Sequence, residues 1–83
     1  MKHLASPRFW QQYRRLPEAT QKLADKILEL LKADPHHPSL HFKKIGALWS
    51  VLVGAHYRAL GLASGESIVW FWIGSHADYD KLI

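Results

Sequence analysis

Apolar residues recur at helical spacing in the first part of the chain and at strand spacing after it. Phe9, Tyr13 and Leu16 fall on one helical face, which predicts a short amphipathic helix over Arg8–Arg15. Ser6 can cap it, and Pro7 suits its first position. Pro17 disfavours a helical conformation at Leu16 and ends it. The same proline opens a second helix, with Glu18 in its first turn, where negative charge is favourable. Leu23, Ile27, Leu30 and Leu31 give that helix an apolar face, and Lys22, Asp25, Lys26, Glu29 and Lys32 give it a polar one. Two helices meeting at a Leu-Pro elbow predict a helical hairpin laid on a sheet.

The rest of the chain reads as strands and turns. Asp34 to Ser39 holds two prolines around a His pair and makes a stiff loop. Leu40–Ile45 is expected as a strand, with Lys44 and Lys43 on opposite sides. Gly46-Ala47 permits a turn. Trp49–Leu60 is then expected as one long strand. Trp49, Val51, Val53, Ala55, Tyr57 and Ala59 share the side that suits the helices. Ser50, Leu52, Gly54, His56, Arg58 and Leu60 share the opposite, open side, where bare backbone at Gly54 would let a ligand approach. Gly61–Glu66 turns the chain back into Ile68–Ile73, which is apolar on both sides. If its pleat continues, Trp70, Trp72, Gly74 and His76 share a side, either as core or facing a partner. His76–Ile83 closes the chain as an extension or a short helical turn. The expected fold class is α+β: two N-terminal helices packed on one face of a small antiparallel sheet of three to four strands.

Length and composition fit this reading. Residues 1–83 are expected to form a single domain, too small for a large core. With no Cys, neither a disulfide nor a thiolate metal site is available, and four Trp, three Tyr and three Phe must supply the bulk. The opening MKHLASPRFWQQ lacks the apolar stretch of a signal peptide, and no apolar run is long enough to span a bilayer. The expectation is a soluble cytoplasmic protein without membrane contact. Eleven Lys and Arg against seven Asp and Glu give a net charge of +4, which favours an anionic partner, although many small domains are modestly basic.

Candidate chemistry gathers after Ser50. A guanidinium at Arg58, imidazoles at His56 and His76 and a phenol at Tyr79 are suited to handling a phosphate. Each also has a plain structural reading: an ion pair from Arg58 to Asp78 or Asp80, a strand-end cap at His76, a packing role for Tyr79. Lys43 and Lys44 form either a charged sheet edge or a phosphate-facing patch. His36, His37 and His41 lack the spacing of a zinc set, and no metal or cofactor is expected.

The sequence resembles the RelE/ParE superfamily of type II toxin–antitoxin toxins, especially its short ParE-like branch. The resemblance spans nearly the whole chain. It is carried by Phe9-Trp10, Tyr13 to Pro17, His37 to Ile45, Trp49-Ser50-Val51, His56 to Gly61, Trp70 to His76 and Tyr79-Asp80. It implies one of two activities. RelE-like toxins cut messenger RNA, usually on the ribosome and without a metal, by attack of a ribose 2′-hydroxyl on the adjacent phosphate. ParE-like toxins bind DNA gyrase and need no nuclease residues. On the first branch Arg58 matches the phosphate-clamping arginine, His76 a general acid or base, and Tyr79 the C-terminal tyrosine. Lys43, Lys44 and His56 would hold RNA. Leu52 departs from the basic residue common there in RNA-cutting relatives, no Arg or Lys follows His76 before Lys81, and the family's first strand is at most vestigial in Lys2-His3-Leu4. Both branches imply a cognate antitoxin with an acidic, partly disordered segment.

Overall fold

The computed structural model describes residues 2–82. Ile83, expected in the closing segment, lies outside them. The chain runs β1 (Lys2–Ala5), α1 (Pro7–Arg14), α2 (Glu18–Ala33), a 3-10 turn (Pro38–Leu40), β2 (Lys43–Ile45), β3 (Leu48–Val53), β4 (Tyr57–Ser64), β5 (Ser67–Ser75) and α3 (His76–Leu82). The strands form a five-stranded sheet in the order β1-β5-β4-β3-β2. Strands β2 to β5 are antiparallel, whereas β1 runs parallel to β5, from Lys2 beside Ser67 to Ala5 beside Trp70. The sheet is therefore mixed and larger than expected. A four-residue strand such as β1 is too short to show alternation against its surroundings. No helix among the described residues is long and apolar enough to cross a membrane.

The helical hairpin forms as its caps dictate. Ser6 Oγ accepts the Phe9 N–H at 3.2 Å. The Tyr13 hydroxyl donates to the Asp25 carboxylate at 2.8 Å, which ties α1 to α2 and raises the pKa of the phenol above its ordinary value. Phe9, Ala24, Ile27 and Leu31 are buried against Val51, Val53, Ala59, Ile68, Trp70 and Ile73 of the sheet. Each large side chain so buried contributes about 1.5–3 kcal/mol, which makes this layer the main source of stability.

Three of the expected strands differ, each for a local reason, and their neighbouring turns differ with them. Leu40 does not begin a strand: it is buried at the end of the 3-10 turn, and His41 takes a left-handed φ of 44° before β2 starts at Lys43. Trp49–Leu60 is two strands. The chain reverses at Gly54–His56, with Gly54 at a φ of 70°, a conformation that glycine adopts without strain. Val53 pairs with Tyr57, so the two strands keep the same parity across the turn. The assigned faces thus hold for strand residues, but His56 leaves the sheet. Nor is Gly54 open to a ligand, since a Cβ built there would lie 2.5 Å from Leu23 Cδ2.

The third difference concerns β5. Leu60 pairs with Trp72 but Gly61 pairs with Trp70, so Phe71 is the extra residue of a β-bulge. The bulge sends Trp70 to the helix side and Trp72 to the opposite side, where it packs with Leu60 and Tyr79. The two indoles do not share a face. The expected Gly61–Glu66 turn shrinks to Gly65-Glu66, because β4 continues to Ser64. Finally, α3 folds back so that Tyr79 covers part of the second face.

Candidate functional site

Arg58 lies near the start of β4, with Leu52 of β3 and Gly74 of β5 as its cross-strand neighbours. It therefore sits on the sheet face away from the helical hairpin, as the alternation predicts. One terminal nitrogen donates to Ser50 Oγ at 3.3 Å, and Ser50 is fully buried. The guanidinium carbon stands 4.7 Å from the centre of the Tyr79 ring. Tyr79 is 6% exposed and packs beside Trp72, with ring centres 6.5 Å apart. A Cβ on Gly74 would approach the Trp72 ring to 2.7 Å, so only glycine leaves the indole room beside Arg58. Serine, indole and phenol together fix the direction of the guanidinium.

The Arg58 Nε is buried and has no hydrogen-bond partner among the described residues. A buried donor left unpaired costs about 1–3 kcal/mol. Arg58 as a whole is only half-buried, and its guanidinium offers terminal donors as a planar fork that matches phosphate.

His76 opens α3. Its main-chain N–H donates to the His56 carbonyl at 2.8 Å, which joins the β3–β4 turn to the end of β5. The imidazole is exposed; its Nε2 lies 3.4 Å from Asp80 Oδ1, one helical turn on. Its ring centre is 6.0 Å from that of Tyr79. Tyr79 is thus the common neighbour of Arg58 and His76. A carboxylate behind an imidazole orients the ring, an arrangement suited to carrying a proton.

The remaining predicted residues separate. Lys43 pairs with Ser50 and shares the face of Arg58; Lys44 pairs with Trp49 and falls on the helix side. His56 meets the site through its backbone, at the exposed turn. The ion pair from Arg58 to Asp78 or Asp80 does not form, as Asp80 faces His76. His37 Nδ1 accepts the Ser39 N–H at 3.2 Å and caps the 3-10 turn. Among the described residues, no group of three or more His, Cys, Asp or Glu gathers as a metal set. Ser50, Trp72 and Asp80 belong to the site, although the sequence places Ser50 and Trp72 only by their side of the sheet and offers Asp80 only as an ion-pair partner of Arg58. Asp80 stands four residues after His76, a signal readable once that segment is taken as helix.

A family profile described as the ParE-like toxin domain matches residues 18–81, which contain every predicted site residue. The chain belongs to the ParE-like toxin domain family. No functionally curated protein gives a significant sequence match. Among solved structures, this ParE-like chain superposes on a chain of the RelB-RelE antitoxin-toxin complex from Methanococcus jannaschii with a TM-score of 0.74 at 18% identity, covering 96% of this chain and 98% of that one. It matches the YoeB/ParE toxin from Agrobacterium tumefaciens with a TM-score of 0.68 at 16% identity, covering 92% and 99%. For YafQ from Escherichia coli BL21(DE3) the TM-score is 0.70 at 10% identity, covering 94% and 96%. At such identities the likeness is one of fold.

Proposed function

We propose that this ParE-like chain is the toxin of a type II toxin–antitoxin pair and acts as a metal-independent endoribonuclease on messenger RNA. The observation that carries the reading is the half-buried Arg58 guanidinium, held by Ser50 and Tyr79 on the sheet face away from the helical hairpin. In the proposed reaction the ribose 2′-oxygen bonds to phosphorus while the bond from phosphorus to the 5′-oxygen breaks. A proton leaves the 2′-hydroxyl and another reaches the departing 5′-oxygen, leaving a 2′,3′-cyclic phosphate and a 5′-hydroxyl. Arg58 holds the non-bridging oxygens as charge builds on them. His76, backed by Asp80, carries one of the two protons. Tyr79 acts as the plate on which Arg58 rests, and Lys43 steadies the RNA backbone from the same face. Lys44 adds positive charge from the sheet edge, and the exposed His56 stands at the turn within reach of the RNA backbone. The partner would be a cognate antitoxin, in keeping with a family likeness that includes toxins solved in antitoxin complexes.

Inducible expression with mapping of transcript ends tests this. Wild type should arrest growth and leave cut messenger RNA. A positioned proton carrier supplies about 10²–10⁴-fold in rate, so His76→Ala should reduce cleavage by roughly that factor, and Arg58→Ala should abolish it, with both proteins folded. Intact transcripts together with gyrase–DNA cleavage complexes would replace this reading with the gyrase-binding alternative.

A further inference from the structure

On the helix side of the sheet a groove runs beneath the C-terminal half of α2, in two lobes. One, of about 270 Å³, lies between Phe9, Trp10, Leu28 and Trp70. The other, of about 260 Å³, lies between Leu31, Pro35, Phe42 and Trp49, with His36 at its edge. Both lobes are bounded by His3 and Lys32. Among the described residues, no carboxylate lines either lobe. His3 Nδ1 accepts the Trp70 indole N–H at 3.1 Å, so a neutral His3 carries its proton on Nε2 as a free donor. Lys32 meets Glu29 at 3.7 Å, an exposed pair weak enough for an incoming carboxylate to replace.

We propose that this groove docks an acidic-apolar peptide segment of a partner protein: one carboxylate at His3 and Lys32, with an apolar side chain on either side of it. Charge complementarity names the occupant. The floor is aromatic and aliphatic, the Lys32 cation and the His3 donor line both lobes, and net positive charge on the whole chain disfavours a second copy. RNA fits less well, because a strand needs a row of cations along its phosphates. The partner's identity as the antitoxin rests on the function proposed above; the chemistry of the groove does not.

Panning random peptides on the folded protein, followed by affinity measurements, tests the docking. Enriched peptides should carry Asp or Glu flanked by Leu, Ile, Phe or Trp. Lys32→Glu, at an exposed position, should weaken them by about tenfold or more. Replacing the peptide's acid by Lys should restore binding to Lys32→Glu, whereas Arg58→Ala should leave binding unchanged. Peptides without an acid, equal binding to Lys32→Glu, or displacement by single-stranded RNA would overturn the proposal. A wild-type protein that fails to arrest growth would overturn the toxin reading and leave the peptide result standing. A Lys32→Glu toxin that its antitoxin neutralises as well as wild type would remove the groove as the antitoxin's dock and spare the toxin reading.

Discussion

Tyr79 is where folding and chemistry can be separated. Tyr79→Phe keeps the ring, its contact with Trp72 and its stacking under Arg58, and removes only the hydroxyl. Tyr79→Leu removes the ring. The stacked cation is worth about 0.5–2 kcal/mol, with half-buried Arg58 near the middle of that range. The aromatic contact with Trp72 adds about 0.5–1.5 kcal/mol beyond area burial. Because Tyr79 is nearly buried, Leu also leaves space behind, and the total loss should reach roughly 2–3 kcal/mol. In a domain of this size that lowers Tm by about 10–20 °C, against a few degrees for Phe. Thermal unfolding by circular dichroism, paired with an RNA-cleavage assay at a temperature where both variants are folded, reads the outcome. Phe should keep cleavage close to wild type, and Leu should lose most of it as Arg58 swings free. If Phe is as inactive as Leu while remaining stable, the hydroxyl takes part in the reaction and the role of plate is wrong. If Leu melts with Phe, the stacking carries no energy.

Three further perturbations have definite signs. Burial, together with positive charge that includes Lys32, lowers the His3 pKa below 6.5 in the folded state, so stability present above the unfolded value falls as pH drops below about 6.5; urea titrations from pH 7.5 downward should show a smaller fall for His3→Gln, and equal falls would refute the assignment. Gly54→Ala meets both a positive φ and Leu23 Cδ2, whereas Gly46→Ala meets a positive φ with nothing within 4 Å; Gly54→Ala should cost clearly more than the roughly 1–2 kcal/mol expected of Gly46→Ala, with part recovered by adding Leu23→Ala. Lys43→Ala should weaken RNA binding and flatten its salt dependence by about 0.7 in log–log slope, while Lys44→Ala, on the other face, should change both less; equal effects would argue against an open-face path for RNA.

The sequence makes the helical hairpin legible because its caps and apolar spacing act locally. Parity also survives the missed turn at Gly54–His56, and for that reason Arg58 is found where alternation puts it. Trp72 is not, because a bulge is a one-residue slip that leaves no mark in an already apolar run. β1 is a paired strand and more than the vestige expected of Lys2-His3-Leu4; its partner lies at Ser67–Trp70, far along the chain, so nothing local signals the pairing. Ser50 is missed since a small polar residue on an open face suggests nothing until a guanidinium is seen to need an acceptor. The Asp80 contact depends on α3 being helical, which the sequence leaves undecided.

The parallel pairing of β1 with β5 also bears on synthesis. A growing chain makes Lys2–Ala5 early, but that strand has no neighbour until Ser67–Trp70 has followed. The antiparallel strands β2 to β4 form from near neighbours and can assemble first. Tyr79 comes later still, so a nascent chain that has already paired Arg58 into the sheet lacks the surface that aims it. If Arg58 acts as proposed, an unfinished chain is unarmed, and the cell translating it gains an interval in which a partner can engage the helix side first.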